Sequence, residues 1–171
     1  MPPDSSNRNI TSAAENSLGR PNFLALTEKD SPERREMVAQ IIARIDEEQL
    51  EVVRIACVDT HGIVRVRPIE ARLFSQAARN GVAFTTGLFA MDSANSIFQN
   101  VFAADGGFGR ETMGGAGDML AVPDLATFRV LPWAHKCGWV LSDLYLKSGE
   151  RCPLDPRLVM QTACARWHSR G

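Results

Sequence analysis

What this chain of 171 residues has little of narrows its chemistry first. No apolar run approaches the roughly 18 residues of a membrane-spanning helix. The polar start, Met1-Pro2-Pro3-Asp4-Ser5-Ser6, is not a secretory leader. A cytoplasmic protein with no membrane partner is the expectation, and Asn9-Ile10-Thr11, although it fits the glycosylation pattern, carries no weight without a leader. The formal net charge of −1 offers no field to draw in nucleic acid. Cys57, Cys137, Cys152 and Cys164 include no Cys-x-x-Cys pair, which removes zinc knuckles and dithiol redox motifs and leaves reduced, mostly buried thiols. His61, His135 and His168 are far apart and are expected on the surface rather than on a shared metal. There is no carboxylate cluster to hold a divalent ion, no nucleotide loop ending in Gly-Lys-Ser/Thr, and no nucleophile elbow. No catalytic, cofactor-binding or metal-ligating residue is therefore assigned.

What is present reads as an ordinary globular protein, 44% apolar and 23% charged, with room for one domain and a little more. Residues 1–30 are rich in Ser, Asn, Thr and Pro and are expected to be a disordered tail. Ser31-Pro32-Glu33 opens a helix: the serine caps free N–H groups, the proline suits the first turn, and the acid faces the positive end of the dipole. Its stripe of Met37, Val38, Ile41, Ile42 and Ile45 is core, and Glu33 to Glu36 is a solvated face. From Glu51 the period becomes that of a strand, ending at Asp59-Thr60-His61-Gly62. There Gly62 supplies a positive φ and Asp59 accepts backbone hydrogen bonds. In the following Ile63 to Pro68, alternation places Val64 and Val66 toward the core and Arg65 and Arg67 toward water or a partner. Glu70 to Asn80 is a helix with Leu73, Phe74, Ala77 and Ala78 on one side and Gly81 as its stop.

Val82 to Met91 reads as a strand running into a loop that begins at Asp92. From Asp92 to Gly117 there are six glycines. Gly106-Gly107-Phe108-Gly109 and Gly114 to Gly117 lack the setting of a phosphate cradle and read as flexible loop. Gly117 to Trp133 is the stretch that organises the rest: two short strands, Met119 to Val122 and Phe128 to Leu131, meet at a corner built on Pro123-Asp124 and Thr127, and Pro132-Trp133 closes it as an aromatic anchor. Gly138 to Leu146 is a strong strand. Asp155-Pro156 caps and opens a last helix with Leu158, Val159, Thr162, Ala163 and Trp167 on its apolar face. A mixed sheet of about five strands over 51–147, packed on the Leu73/Phe74 helix, is the expected fold, of α+β class.

Taken in order, Asp59-Thr60-His61-Gly62, Gly117-Asp118, Val122-Pro123-Asp124-Leu125-Ala126-Thr127, Pro132-Trp133, Asp143, Gly149 and Asp155-Pro156-Arg157 resemble the amino-terminal region of glutamine synthetases, from about Ile42 onward. The resemblance implies a β-grasp domain over 31–150, with 151–171 as the first helix of a catalytic domain whose remainder lies beyond this chain. It implies a ligase that phosphorylates the γ-carboxylate of glutamate with ATP and Mg or Mn and lets ammonia or an amine displace phosphate. It also implies a ring-shaped homo-oligomer in which this domain forms one wall of the neighbouring subunit's active site. The residues that hold ATP, metal and glutamate in that family fall outside this chain, so none is carried over, and the chain alone is expected to be inactive.

One departure bears on substrate. Ammonia-using members resemble Phe-Asp-Gly-Ser-Ser after the third strand, and here the place reads Phe84-Thr85-Thr86-Gly87-Leu88. Thr85 stands where the acid would be, and a neutral hydroxyl does not make the charge-assisted bond that favours ammonium. With the following Phe89-Ala90-Met91-Asp92, the pattern looks like the divergent branch that joins glutamate to larger amines. Thr85 and Asp92 are the candidate amine-side residues, Asp92 also having an ordinary role as a cap of its own loop. Two other readings are a free-standing module that binds subunits of a related synthetase and a pseudoenzyme fragment. A catalytic domain encoded directly downstream would separate the ligase from both.

Overall fold

The computed structural model describes residues 22–97, 100–103, 106–108 and 117–169. The first part of the expected tail, Asn9-Ile10-Thr11 and much of the glycine-rich centre lie outside the described residues.

The hairpin forms as the alternation predicts. Strands β1 (Val52–Val58) and β2 (Val64–Glu70) pair antiparallel, Val58 opposite Val64 and Val52 opposite Glu70. Strand β6 (Cys137–Leu146) runs parallel to β1 on one side. On its other side it takes β4 (Asp118–Pro123) and β5 (Arg129–Val130), both antiparallel. Strand β3 (Val82–Thr85) adds to β4, giving the order β2-β1-β6-β4-β3 with β5 beside β6. The corner between β4 and β5 explains its own sequence. Asp124 N–H donates to the Leu141 carbonyl at 2.8 Å, and the Leu141 N–H donates to Thr127 Oγ1 at 2.9 Å. A threonine hydroxyl thus replaces a strand carbonyl where the chain steps from one ladder segment to the next, and β6 keeps its backbone groups paired through the step.

Helix α1 (Pro32–Glu47) is capped by Ser31, whose hydroxyl accepts the Arg34 N–H at 3.2 Å, and it buries Ile41 and Ile45. Helix α2 (Phe74–Asn80) follows a 3-10 turn over Ala71–Leu73 and stops at Gly81. Its Phe74, Ala77 and Ala78 are buried, and the Phe74 ring lies 5.6 Å from that of Phe128 in the corner. Against these helices the sheet turns Val53, Ile55 and Cys57 of β1, Met119 and Ala121 of β4, and Val140, Leu144 and Leu146 of β6. Each large side chain so buried contributes about 1.5–3 kcal/mol. The α+β class and the mixed sheet packed on a helix are as expected, with six strands. Helix α3 (Pro156–His168) buries no residue, and no described helix is long and apolar enough to cross a membrane.

Several details differ from the sequence reading, each for a local reason. Residues 22–30 are part of the fold: Phe23–Leu26 forms a 3-10 turn, and Leu24, only 4% exposed, packs on Val122 and Tyr145. On β2 the faces are reversed. The register sets Arg65 opposite Cys57 and Arg67 opposite Ile55, the core side, while Val64 and Val66 are 47% and 39% exposed. At this edge strand a long arginine stem can stand on the core side while its head reaches a polar acceptor, Asp59 for Arg65 and the Ala83 carbonyl for Arg67. Arg34 is half-buried rather than solvated, because its guanidinium donates to the carbonyls of Ala78 and Pro123 at 3.1 and 3.0 Å. Met37, Leu73 and Trp133 are exposed, so Trp133 does not anchor the corner.

Candidate functional site

Three local arrangements gather the polar side chains, and the first two are joined at the expected amine-side loop. The first is the β1–β2 turn, built on Asp59, which is wholly buried. One carboxylate oxygen accepts the N–H groups of His61 and Ile63, both at 2.9 Å, and the other accepts Arg65 Nε at 2.9 Å. Burial alone would push this acid up; the Arg65 guanidinium and the Ile63 and His61 N–H groups outweigh it and hold Asp59 below the usual aspartate range. Gly62 takes the positive φ, 79°, that the turn requires.

The second element begins where β3 ends. Thr85 Oγ1 accepts the Gly87 N–H at 3.1 Å and so caps a 3-10 helix over Thr86–Ala90 in which every residue is buried. At its far end Asp92 Oδ1 accepts the N–H groups of Ala94 and Ser96, both at 2.8 Å, while Asp92 N–H donates to the Ser96 carbonyl at 2.9 Å. Thr85 and Asp92 therefore bracket one short buried helix, and each uses a side-chain oxygen to cap backbone. Thr85 is exposed and Asp92 half-buried. His61 joins the two elements: its Nε2 lies 3.0 Å from the Met91 carbonyl, an acceptor, so this nitrogen carries the proton.

The third element is a charged knot that fixes the start of α3. Asp143, in the middle of β6 with a side chain 3% exposed, pairs with Lys29 at 3.1 Å, Arg157 at 3.0 Å and Arg151 at 3.4 Å. Arg157 also contacts Asp124, and Arg151 pairs with Asp155 at 3.2 Å. Asp155 caps α3 through the Arg157 N–H at 3.0 Å and accepts the Leu144 N–H at 3.1 Å. Burial would raise Asp143; Arg151, Lys29 and Arg157 overcome it and hold the carboxyl below its ordinary value. The Asp155-Pro156-Arg157 motif thus ties the first turn of α3 to the sheet. Lys29 escaped the sequence reading because it fell in the expected tail, and Arg151 carried no local pattern. Asp143 did give a signal, as the lone acid in the apolar run Trp139 to Leu146.

Among the described residues no group of three or more His, Cys, Asp and Glu side chains could hold a metal ion. His135 is exposed, and His168 sits near the Cys164 carbonyl at 2.8 Å. Cys57, Cys137 and Cys152 are buried free thiols and Cys164 is exposed. Burial, with Asp155 and Asp59 nearby, pushes the Cys57 thiol up to about 12, far from a reactive thiolate.

No family model matches the chain. It is 34% identical over 153 residues to gamma-glutamylanilide synthase of Acinetobacter sp, covering 88% of this chain and 31% of that protein. It is 33% identical over 116 residues to type-1 glutamine synthetase 2 of Dictyostelium discoideum, covering 68% and 21%. To glutamate–isopropylamine ligase of Pseudomonas sp it is 27% identical over 145 residues, covering 82% and 30%. Among solved structures, apo GmaS without ligand superposes with a TM-score of 0.57 at 25% identity, covering 74% of this chain and 25% of that one. The chain thus spans about a third or less of the length of the curated relatives it matches. With the mixed sheet, the corner on Pro123 and Thr127 and the Asp155-Pro156-Arg157 helix start in the order found here, the chain belongs to the glutamine synthetase family and corresponds to the amino-terminal region of its members.

Proposed function

We propose that this chain is the amino-terminal portion of an ATP-dependent ligase that joins the γ-carboxyl of glutamate to an amine larger than ammonia. In this reading it is a β-grasp domain in a cytoplasmic homo-oligomeric ring, and its Thr85–Asp92 segment walls the amine side of the neighbouring subunit's active site. The observation that carries the reading is Thr85, a neutral, exposed hydroxyl where ammonia-using members place an acid. A small cation is favoured by a carboxylate through a charge-assisted hydrogen bond; a threonine already capping Gly87 offers no such charge. The names of two relatives, an anilide synthase and an isopropylamine ligase, support the same direction.

A divalent ion, which the family's chemistry uses with ATP, finds no group of three or more His, Cys, Asp or Glu side chains among the described residues. The chain's own part is confined to shaping the amine's surroundings, and alone it makes no γ-glutamyl amide. The test joins the chain to its catalytic portion and compares ammonium with a polyamine and aniline as acceptors. Thr85→Asp is expected to shift the ratio of kcat/KM toward ammonium by about tenfold or more, the worth of one hydrogen bond to a charged group. Ammonium preferred by the unmodified enzyme, with no response to Thr85→Asp, refutes the proposal. A chain that binds intact synthetase subunits, with no catalytic domain encoded downstream, supports the interaction module instead.

A further inference from the structure

The Thr85–Asp92 segment does not hold its place by its own caps alone. Two side chains of the β1–β2 hairpin, far from it in sequence, donate to backbone carbonyls on its two flanks. Arg67 Nη1 donates to the Ala83 carbonyl, just before Thr85, and His61 Nε2 donates to the Met91 carbonyl, just before Asp92, at 3.0 Å. In the sheet order β2 and β3 are opposite edges, so neither contact belongs to a strand ladder. The Arg67 contact joins the two edge strands, and the His61 contact joins the hairpin turn to the end of the 3-10 helix. Both donors sit on exposed residues of an element otherwise fixed by the wholly buried Asp59 and by the β1–β2 register. The hairpin is therefore a rigid base, and the two side chains are straps from it.

We infer that His61 and Arg67 are positioning residues that pin the two ends of the amine-side segment, setting how Thr85 and Asp92 are presented, a role that rests on the proposed function of that segment. Two features of the chemistry sharpen this. The Met91 carbonyl can only accept, so the strap from His61 needs a donor at Nε2. The guanidinium of Arg67 has donors only, so it likewise meets the Ala83 carbonyl as a donor. The pair acts as a brace on both flanks. Glutamine places an amide N–H close to where Nε2 stands and is the conservative replacement for His61; leucine fills the space without a donor.

The test uses the full chain and backbone amide exchange at Asp92 and Ser96, whose N–H groups are tied within the loop, and at Thr86 and Gly87, with Val53 and Val140 in the core as references. His61→Leu is expected to speed exchange at Asp92 and Ser96, and Arg67→Met exchange at Thr86 and Gly87, by about fivefold, the loss of one ordinary hydrogen bond, with the core references unmoved. His61→Gln is expected to restore slow exchange. Unchanged exchange at the amides beside each strap in both variants overturns the inference, and so does an equal acceleration at the core references, which reports loss of fold instead. In the joined ligase, His61→Leu is expected to raise KM for the amine severalfold with KM for glutamate unchanged. If exchange responds as stated but amine KM and selectivity do not, the straps stand and the assignment of the segment to the amine side falls.

Discussion

Replacing Asp143 by asparagine keeps the shape of the side chain and removes its charge, leaving Lys29, Arg151 and Arg157 around a neutral amide at a site only 3% exposed. Breaking a buried ion pair by removing one partner costs about 3–5 kcal/mol, because the remaining charge is left desolvated and unpaired. Here the cost is smaller. Lys29 is 44% exposed and turns to water, Arg151 keeps Asp155, and Arg157 keeps Asp124. About 2–3 kcal/mol is expected, or a fall in Tm of about 5–10 °C for a chain of this size. Lys29→Met, at the wet end of the knot, should cost under about 1 kcal/mol. Urea unfolding followed by tryptophan fluorescence measures both, and amide exchange in the first turn of α3 should rise in Asp143→Asn more than in the core strands. The pH dependence has a definite sign. The folded acid is held below its ordinary value of 3.8, so its contribution is complete above that value and disappears as pH falls through the lower folded value. The stability difference between the parent and Asp143→Asn must therefore be constant near neutrality and shrink below about pH 4. An Asp143→Asn chain within about 0.5 kcal/mol of the parent at neutral pH, or a difference that grows on acidification, would refute this account of the knot.

Two further substitutions probe how the sheet is held. Thr127→Val keeps the volume but takes the acceptor from the buried-side N–H of Leu141, so a loss of about 1–3 kcal/mol in urea unfolding is expected, with Thr127→Ser close to the parent; equal losses for the two would show that the hydroxyl is not the reason. Gly149 has φ +89° and an added Cβ would stand 2.4 Å from the Leu26 carbonyl, so Gly149→Ala should cost more than 2 kcal/mol. Gly62→Ala, at φ +79° with nothing within 4 Å, should cost about 1 kcal/mol, and a thermal melt that ranks the two the other way would exclude backbone crowding by the amino-terminal segment.

The contrast between those two glycines shows where sequence reasoning reached and where it stopped. Gly62, Asp59 and the hairpin around them were legible because every contact that defines the turn lies within a few residues. The same holds for the Ser31 and Asp155 caps and for the corner on Pro123 and Thr127, whose hydroxyl answers a strand only 14 residues away. Gly149 looked like the turn it is, but nothing in Ser148-Gly149 announces that Leu26 passes over it. The faces of β2 were misread for a related reason: alternation gives two faces, but which one meets the core was decided by the partner register, where Arg65 and Arg67 stand opposite Cys57 and Ile55. Long basic stems satisfy both demands at a sheet edge, and a rule that sends valine inward does not foresee it.

The knot is the extreme case. Lys29 and Asp143 are 114 residues apart, and each has an innocent local reading, one in a polar segment and one in an apolar strand. Only the acid carried a warning, since an unpaired aspartate inside Trp139 to Leu146 would be too costly to bury. Its need for cations predicts that some exist without saying which. The same logic applies to the segment proposed to face the amine: Thr85 and Asp92 were visible as residues, whereas the straps inferred to hold it come from His61 and Arg67, on an edge strand and its turn at the far side of the sheet order. In a mixed sheet whose first two strands and last strand run side by side, the contacts that set a loop's geometry are long-range, so a substitution at the loop tests what is presented, and a substitution in the hairpin tests how it is presented. Thr85→Asp combined with His61→Leu separates the two. If the hairpin positions the new carboxylate, the gain in ammonium use from Thr85→Asp should be smaller in the double variant than in the single one, a coupling of about 0.5 kcal/mol or more; strict additivity would mean that loop chemistry and hairpin geometry act independently.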